Sequence, residues 1–284
     1  MIVENEQAVA MDKSGAHGQA RLRFSVVEER TEVTEARATS PLRVLMPRMA
    51  GSRAAWAVTS SFGGGLLEGD DLRMEIAVDA GAIGYVGTQS ATKVYRSARG
   101  GISRQTVKAE VGEGAVLAVM PDPVVCFRDA RYAQRQRFDV AATGSLVLLD
   151  WFTSGRHGCG ERWAFASLSS RNEMWMGGSR LVTDAVLLDG RAGAVAARMG
   201  GLQCYATLVL VGPAVEGAAE EMVREIGELS VRGEEGLRMA ASGIRGGAIV
   251  RLAAENAERA AGALYRHLRF LGELLGEHPW LRKW

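Results

Sequence analysis

The chain has 284 residues, 47% of them apolar and 24% charged, with a formal net charge of +1. That balance is ordinary for a folded globular protein, and it excludes a nucleic-acid binder working through a broad basic surface. A chain of this length buries roughly three quarters of the surface its unfolded form exposes, so its core can hold it folded without cross-links.

Residues 1–19 are polar, small and aperiodic, which predicts a flexible N-terminal arm followed by one domain over residues 20–284. Glu4 and Glu6 stand where a secretory leader would carry basic residues, so no leader is predicted. In LRMEIAVDAGA (72–82), Leu72, Met74, Ile76 and Val78 share one parity while Arg73, Glu75 and Asp79 take the other. This period of two marks a half-buried strand. The strand ends in the turn DAGA (79–82), and similar joins recur as GEGA (112–115) and ATGS (142–145). Glycine holds the third place in each, with spacings of 33 and 30 residues, which predicts a loosely repeated hairpin or β-layer unit. SLVLLDWF, ERWAFASLSS, SRLVTDAVLL, YATLVLV and GAIVRLA read as further strands. A first helix is predicted from Pro213, and a second from Asn256 to Leu275 with a Leu264, Leu268, Leu271, Leu275 stripe, stopped by Pro279. The expected fold is mainly β, a single large domain of layered or hairpin strands with two helices in its C-terminal third. The longest apolar run, YATLVLVGPAV (205–215), falls short of the ~20 residues of a membrane span, so a soluble cytoplasmic protein is expected.

Motifs for common chemistries fail on inspection. FGGGLLEGD (62–70) is glycine-dense, but no Lys-Ser or Lys-Thr follows and a strand pattern comes next, so no helix N-terminus exists to hold phosphate. HExxH and GxSxG are absent. Cys126, Cys159 and Cys204 include no CxxC pair, which fits a reducing compartment better than a zinc knuckle or a disulfide framework. Arg128, Arg131, Arg135 and Arg137 around Tyr132 and Phe138 read as a solvated strand face with aromatics turned inward, the alternative being a charged partner surface. In GRHGCGE (155–161), an extended backbone would point His157, Cys159 and Glu161 to one side, a competent set for a divalent metal.

Several segments, in order, resemble the UreD (UreH) family of urease accessory proteins. TQSATKVYRS (88–97) is similar to the family's TTQAATKVYRS signature, and GGGLLEGDDL (63–72) to its Gly-rich segment. PDPVVCFRDARYAQ (121–134), GRHGCGE (155–161) and LYRHLRFLGELLG (264–276) resemble three more, so the likeness covers residues 20–284. Glu68 departs from the pattern, standing where the family often has Gly or Val.

The resemblance implies a non-enzymatic maturation chaperone. It would bind UreF, UreG and the urease apoprotein, and pass nickel toward the urease active site through an internal wet route. No tightly bound cofactor is implied, only nickel in transit. Oxygen ligands hold nickel(II) more loosely than imidazole or thiolate, so carboxylates suit such a passage. Asp70 and Glu161 lie in family-like segments; Asp122 and Asp150 are added from their apolar, glycine-rich surroundings. Lys93, Tyr95, Arg96 and Arg156 are assigned to bracing the fold or meeting partners, Arg96 by pairing with an acidic residue. A metal-dependent hydrolase using Asp70, Asp122 and Glu161 is the rival reading and requires those groups to converge. A metal store is disfavoured by the few His and Cys residues.

Overall fold

The computed structural model describes residues 15–49, 51–229 and 235–280. Two sheets face each other. The first has seven strands in the order β14 (Ser179–Asp189), β13 (Ser167–Met176), β11 (Arg131–Val140), β8 (Ser103–Val111), β5 (Asp71–Val78), β1 (His17–Val27) and β2 (Arg30–Ala38). The second has ten. Eight run in the order β16 (Leu237–Ile244), β17 (Gly247–Ala254), β15 (Cys204–Val211), β12 (Ser145–Thr153), β9 (Val116–Met120), β6 (Ile83–Thr88), β4 (Ala55–Ser61) and β3 (Leu42–Leu45). The short strands β10 (Val124–Cys126) and β7 (Thr92–Val94) extend it beside β12. β1 begins at His17, within the segment treated above as an arm, and residues 1–14 lie outside the described ones.

The chain shuttles between the sheets, from β5 to β6, from β8 to β9 and from β11 to β12. Successive rungs therefore stack in parallel within each sheet. The three recurring turns make these crossings. They form layers, not hairpins, because each delivers the chain to the opposite sheet. The turns bond to one another: Gly112 N–H donates to the Val78 carbonyl and Ala141 N–H to that of Val111, both at 2.8 Å. Gly81 and Gly114 adopt φ of +72° and +63°, where a side chain would be strained. Gly144 is needed for a different reason. A Cβ there would sit 2.8 Å from the Gly112 carbonyl oxygen of the turn beside it.

Leu72, Met74, Ile76 and Val78 all face the interior, as their parity predicts. The strand expected from Glu161 begins only at Ser167. Trp163 takes φ of +53°, which breaks the extension, and its indole N–H is tied to the Leu202 carbonyl instead.

Three of the helices cover the outer face of the ten-stranded sheet. α1 (Val195–Met199), a single turn not expected from the sequence, packs instead against the core between the sheets through Val195, Ala196 and Met199. α2 (Glu216–Gly227) starts three residues after Pro213, which belongs to the preceding turn. The second predicted helix divides into α3 (Ala257–His267) and α4 (Leu271–Leu275). Its leucine stripe survives the break, since Leu264, Leu268, Leu271 and Leu275 all stay buried in the core beneath the helices. Gly276, at φ +79°, ends α4 before Pro279 is reached, and a Cβ there would strike the Arg53 backbone. No helix among the described residues is long and apolar enough to cross a membrane.

Candidate functional site

The space between the sheets is apolar except along one transverse stripe. In β11 the arginines do turn outward, but Gln134 and Gln136 share the inward parity of Tyr132 and Phe138 and are buried with them. Parallel register places Ser170 of β13 beside Gln134, and Asn172 beside Gln136. Gln105 of β8 flanks Gln134 on the other side. The seven-stranded sheet thus carries a row of amides and hydroxyls across its inner face.

The facing residue is Asp150 of β12, only 7% exposed. One carboxylate oxygen accepts from Gln134 Nε2 at 2.9 Å, and the other from Ser170 Oγ at 2.5 Å and Asn172 Nδ2 at 2.8 Å. Burial pushes its carboxyl above the ordinary value, against the pull of those three hydrogen bonds, and the nearby Asp184 charge adds to the rise. The carboxyl is solvated by neutral dipoles where a cation would otherwise be expected.

A cavity of about 30 Å3 opens beside Asp150. By the ~10–15 Å3 that a water requires, it has room for about two or three. Asp122 lines it too, with Thr59, Thr88, Gln105 and Gln136. The Thr88 hydroxyl donates to the Asp122 carboxylate at 2.9 Å and accepts from the Asp122 N–H at 2.7 Å. At the other end of the stripe, Asn172 pairs in register with Asp184 of β14. Arg251 of β17 reaches across from the opposite sheet to donate to Asp184 at 2.6 Å.

The candidates named from sequence do not form one site. Asp122 and Asp150 meet at the cavity. Asp70, 4% exposed, closes a turn, accepting the Ala16 N–H at 2.8 Å and the Leu67 N–H at 2.7 Å. Glu161, 5% exposed, accepts from Arg156 through both oxygens and from the Arg128 N–H. The Arg156 hydrogen bond is the main force holding the Glu161 carboxyl below its ordinary value. Arg156 also lies over the Phe127 ring at 4.2 Å, and Tyr95 meets that ring edge-on. Tyr95 donates to the Gly63 carbonyl and so ties the signature segment to the Gly-rich loop. Lys93 is exposed on β7. Arg96 pairs with Asp129 at 3.4 Å, but its side chain is 71% exposed, so the pair sits on the surface and does not brace the core. Glu68 accepts the N–H groups of Arg99 and Gly101, giving the departure from the family pattern a loop-capping role.

Two sequence expectations are corrected. His157–Cys159 form a 3-10 turn, so the alternation that would align His157, Cys159 and Glu161 is absent; the first two are exposed and the third is buried. The convergence of Asp70, Asp122 and Glu161 required by the hydrolase reading is also absent, each having separate partners. Among the described residues, no group of three or more His, Cys, Asp and Glu side chains is placed to hold a metal. Sequence reasoning missed Gln134, Gln136, Ser170, Asn172, Asp184 and Arg251. The available signal was the inward parity of two glutamines between Tyr132 and Phe138.

Comparison with known proteins agrees with the segments singled out above. The family model described as UreD urease accessory protein matches residues 16–284. A urease accessory protein UreD of Sorangium cellulosum is 44% identical over 273 residues, covering 96% of this chain and 86% of its own. That of an Anaeromyxobacter species is 39% identical over 93% of this chain and 89% of its own. A urease accessory protein D of rice, Oryza sativa subsp. japonica, is 36% identical over 79% of this chain and 74% of its own. The chain belongs to the UreD family of urease accessory proteins.

Proposed function

We propose that this chain is a maturation chaperone that joins UreF and UreG on apo-urease and conveys nickel toward the urease active site. The observation that carries the route is the polar stripe between the sheets. A β-sandwich gains nothing in stability from burying Gln134, Gln136, Asn172 and a carboxyl that lacks a neutralising cation. A hydrated divalent cation gains a path of oxygen atoms that can replace its waters one by one. Asp122 and Asp150 supply the negative charge along that path, and the amide and hydroxyl oxygens of Thr88, Gln105, Gln134 and Ser170 keep each contact weak enough to leave. Asp70 and Glu161 serve the route indirectly, by fixing the loops that carry the family's segments.

The test is the nickel content and activity of urease purified from matched cells with and without this gene. Apo-urease that accumulates normally but lacks nickel only in the deletion supports the delivery role. Fully loaded, active urease in both strains removes it. Co-purification of the chain with UreF, UreG and the urease apoprotein tests the assembly separately.

A further inference from the structure

The polar stripe ends differently on its two sides. Toward β6 it opens into the cavity shared by Asp122 and Asp150. Toward β14 and β17 it ends at Asp184, whose carboxylate is buried while the Arg251 side chain that covers it is 49% exposed. Arg251 shares the inward parity of Ile249, and Asp184 that of Val182; both apolar neighbours pack in the inter-sheet core. The guanidinium therefore lies across the seam between the sheets, with the Tyr205 hydroxyl beside it. Inward from the pair, Asp184 adjoins Asn172, and Asn172 donates to Asp150.

We propose that Arg251 is a guanidinium plug that closes the β14–β17 mouth of this polar stripe by occupying Asp184, the position a passing cation would take. The proposal rests on the nickel-route reading only for the identity of the cargo; the plug itself follows from the geometry. A guanidinium cannot lose its charge in a protein, so the mouth opens only when Arg251 swings off Asp184. Its half-exposed side chain leaves room for that movement, whereas Asp184 stays fixed on its strand. Arg251 is thus a positioning residue that controls access to Asp150 without belonging to the path.

The test is cysteine accessibility in the full chain, read with a small cationic thiol reagent, a methanethiosulfonate ethylammonium. The background is Cys159→Ser, because Cys159 is exposed while Cys126 and Cys204 are buried. Ser170→Cys places a near-isosteric thiol beside Asp150. Labelling at position 170 should be at least about tenfold faster in Arg251→Gln than with Arg251 present, and Arg251→Lys should return it close to the slow rate. Asp184→Asn, which keeps the side-chain size and loosens the hold on Arg251, is the second variant should Arg251→Gln not fold. Cys126 is the internal control. Acceleration confined to position 170 supports a plug, whereas equal acceleration at Cys126 means general loosening and overturns it. Equal rates at position 170 with and without Arg251 also overturn it. Selective acceleration with unaltered nickel loading of urease would keep the plug and remove nickel as its cargo.

Discussion

The two faces of the ten-stranded sheet are packed by different rules. Its outer face meets the helices through Leu208, Leu210, Val250, Leu252, Leu264, Leu268 and Leu271, all buried and all apolar. Its inner face carries Asp150 and Arg251 opposite Gln134, Ser170, Asn172 and Asp184. The same strands serve both faces, so the backbone does not demand polar residues inside. The outer face is packed by apolar side chains, and the inner face departs from that rule along a single line.

The largest effect expected is on the outer face. Leu264→Ala should cost about 2–5 kcal/mol, the range for a leucine truncated in a well-packed core. Urea unfolding would measure it, and nickel loading of urease per folded molecule should not change. The comparison is tested most directly by making the inner face resemble the outer one. Joint replacement with Asp150→Leu, Gln134→Leu, Gln136→Leu, Ser170→Ala and Asn172→Leu removes donors and acceptors together, including the Gln136 amide that donates to Asn172, so stability should hold or rise. Nickel loading should then be lost. A stable fivefold variant that still loads urease would break the proposed division of labour between the faces.

A smaller effect is a slope in stability against pH. Burial raises the Asp150 carboxyl above its ordinary value of 3.8, so the folded chain keeps a proton that the unfolded chain has released. Its contribution therefore favours folding at low pH and declines as pH rises from the ordinary value to the raised one, then levels off. Asp150→Asn removes that slope, and the variant should gain on its parent across the window and run parallel above it. Glu161 has the opposite sign. Arg156 lowers its carboxyl, so its contribution is complete above the ordinary 4.5 and fades as pH falls through the lowered value. Arg156→Gln should abolish that acid-side loss. Thermal melts at successive pH values read both slopes, and parallel slopes for the two variants would contradict the different solvation of these carboxylates.

The smallest effect is expected at Arg96. Its exposed pair with Asp129 should contribute nothing measurable, so Arg96→Ala should melt with its parent. A drop in pull-down of UreF, UreG or the urease apoprotein with an unchanged melt would then place Arg96 on a partner surface.

Parity along single strands was enough to predict that Leu72, Met74, Ile76 and Val78 point inward, because a side chain's face in a strand depends only on its place in the alternation. The leucine stripe at 264–275 was legible for the same kind of local reason, although its break at 268–270 was not. The turns at 79–82, 112–115 and 142–145 were visible as turns. That they cross between sheets depends on which distant strand accepts each rung, a matter of long-range pairing. The ordered family-like segments were likewise readable from residue identity alone.

The polar stripe was decided by tertiary structure. Gln134, Ser170 and Asp150 become one network only through the register of β11 with β13 and the facing of the two sheets. Asp70 and Glu161 looked like companions of Asp150 because all are acids in glycine-rich segments. Folding gave the first to a turn and the second to an arginine. A side chain's type and parity are local properties and can be read along the chain, whereas its partners are set by contacts between residues far apart in sequence.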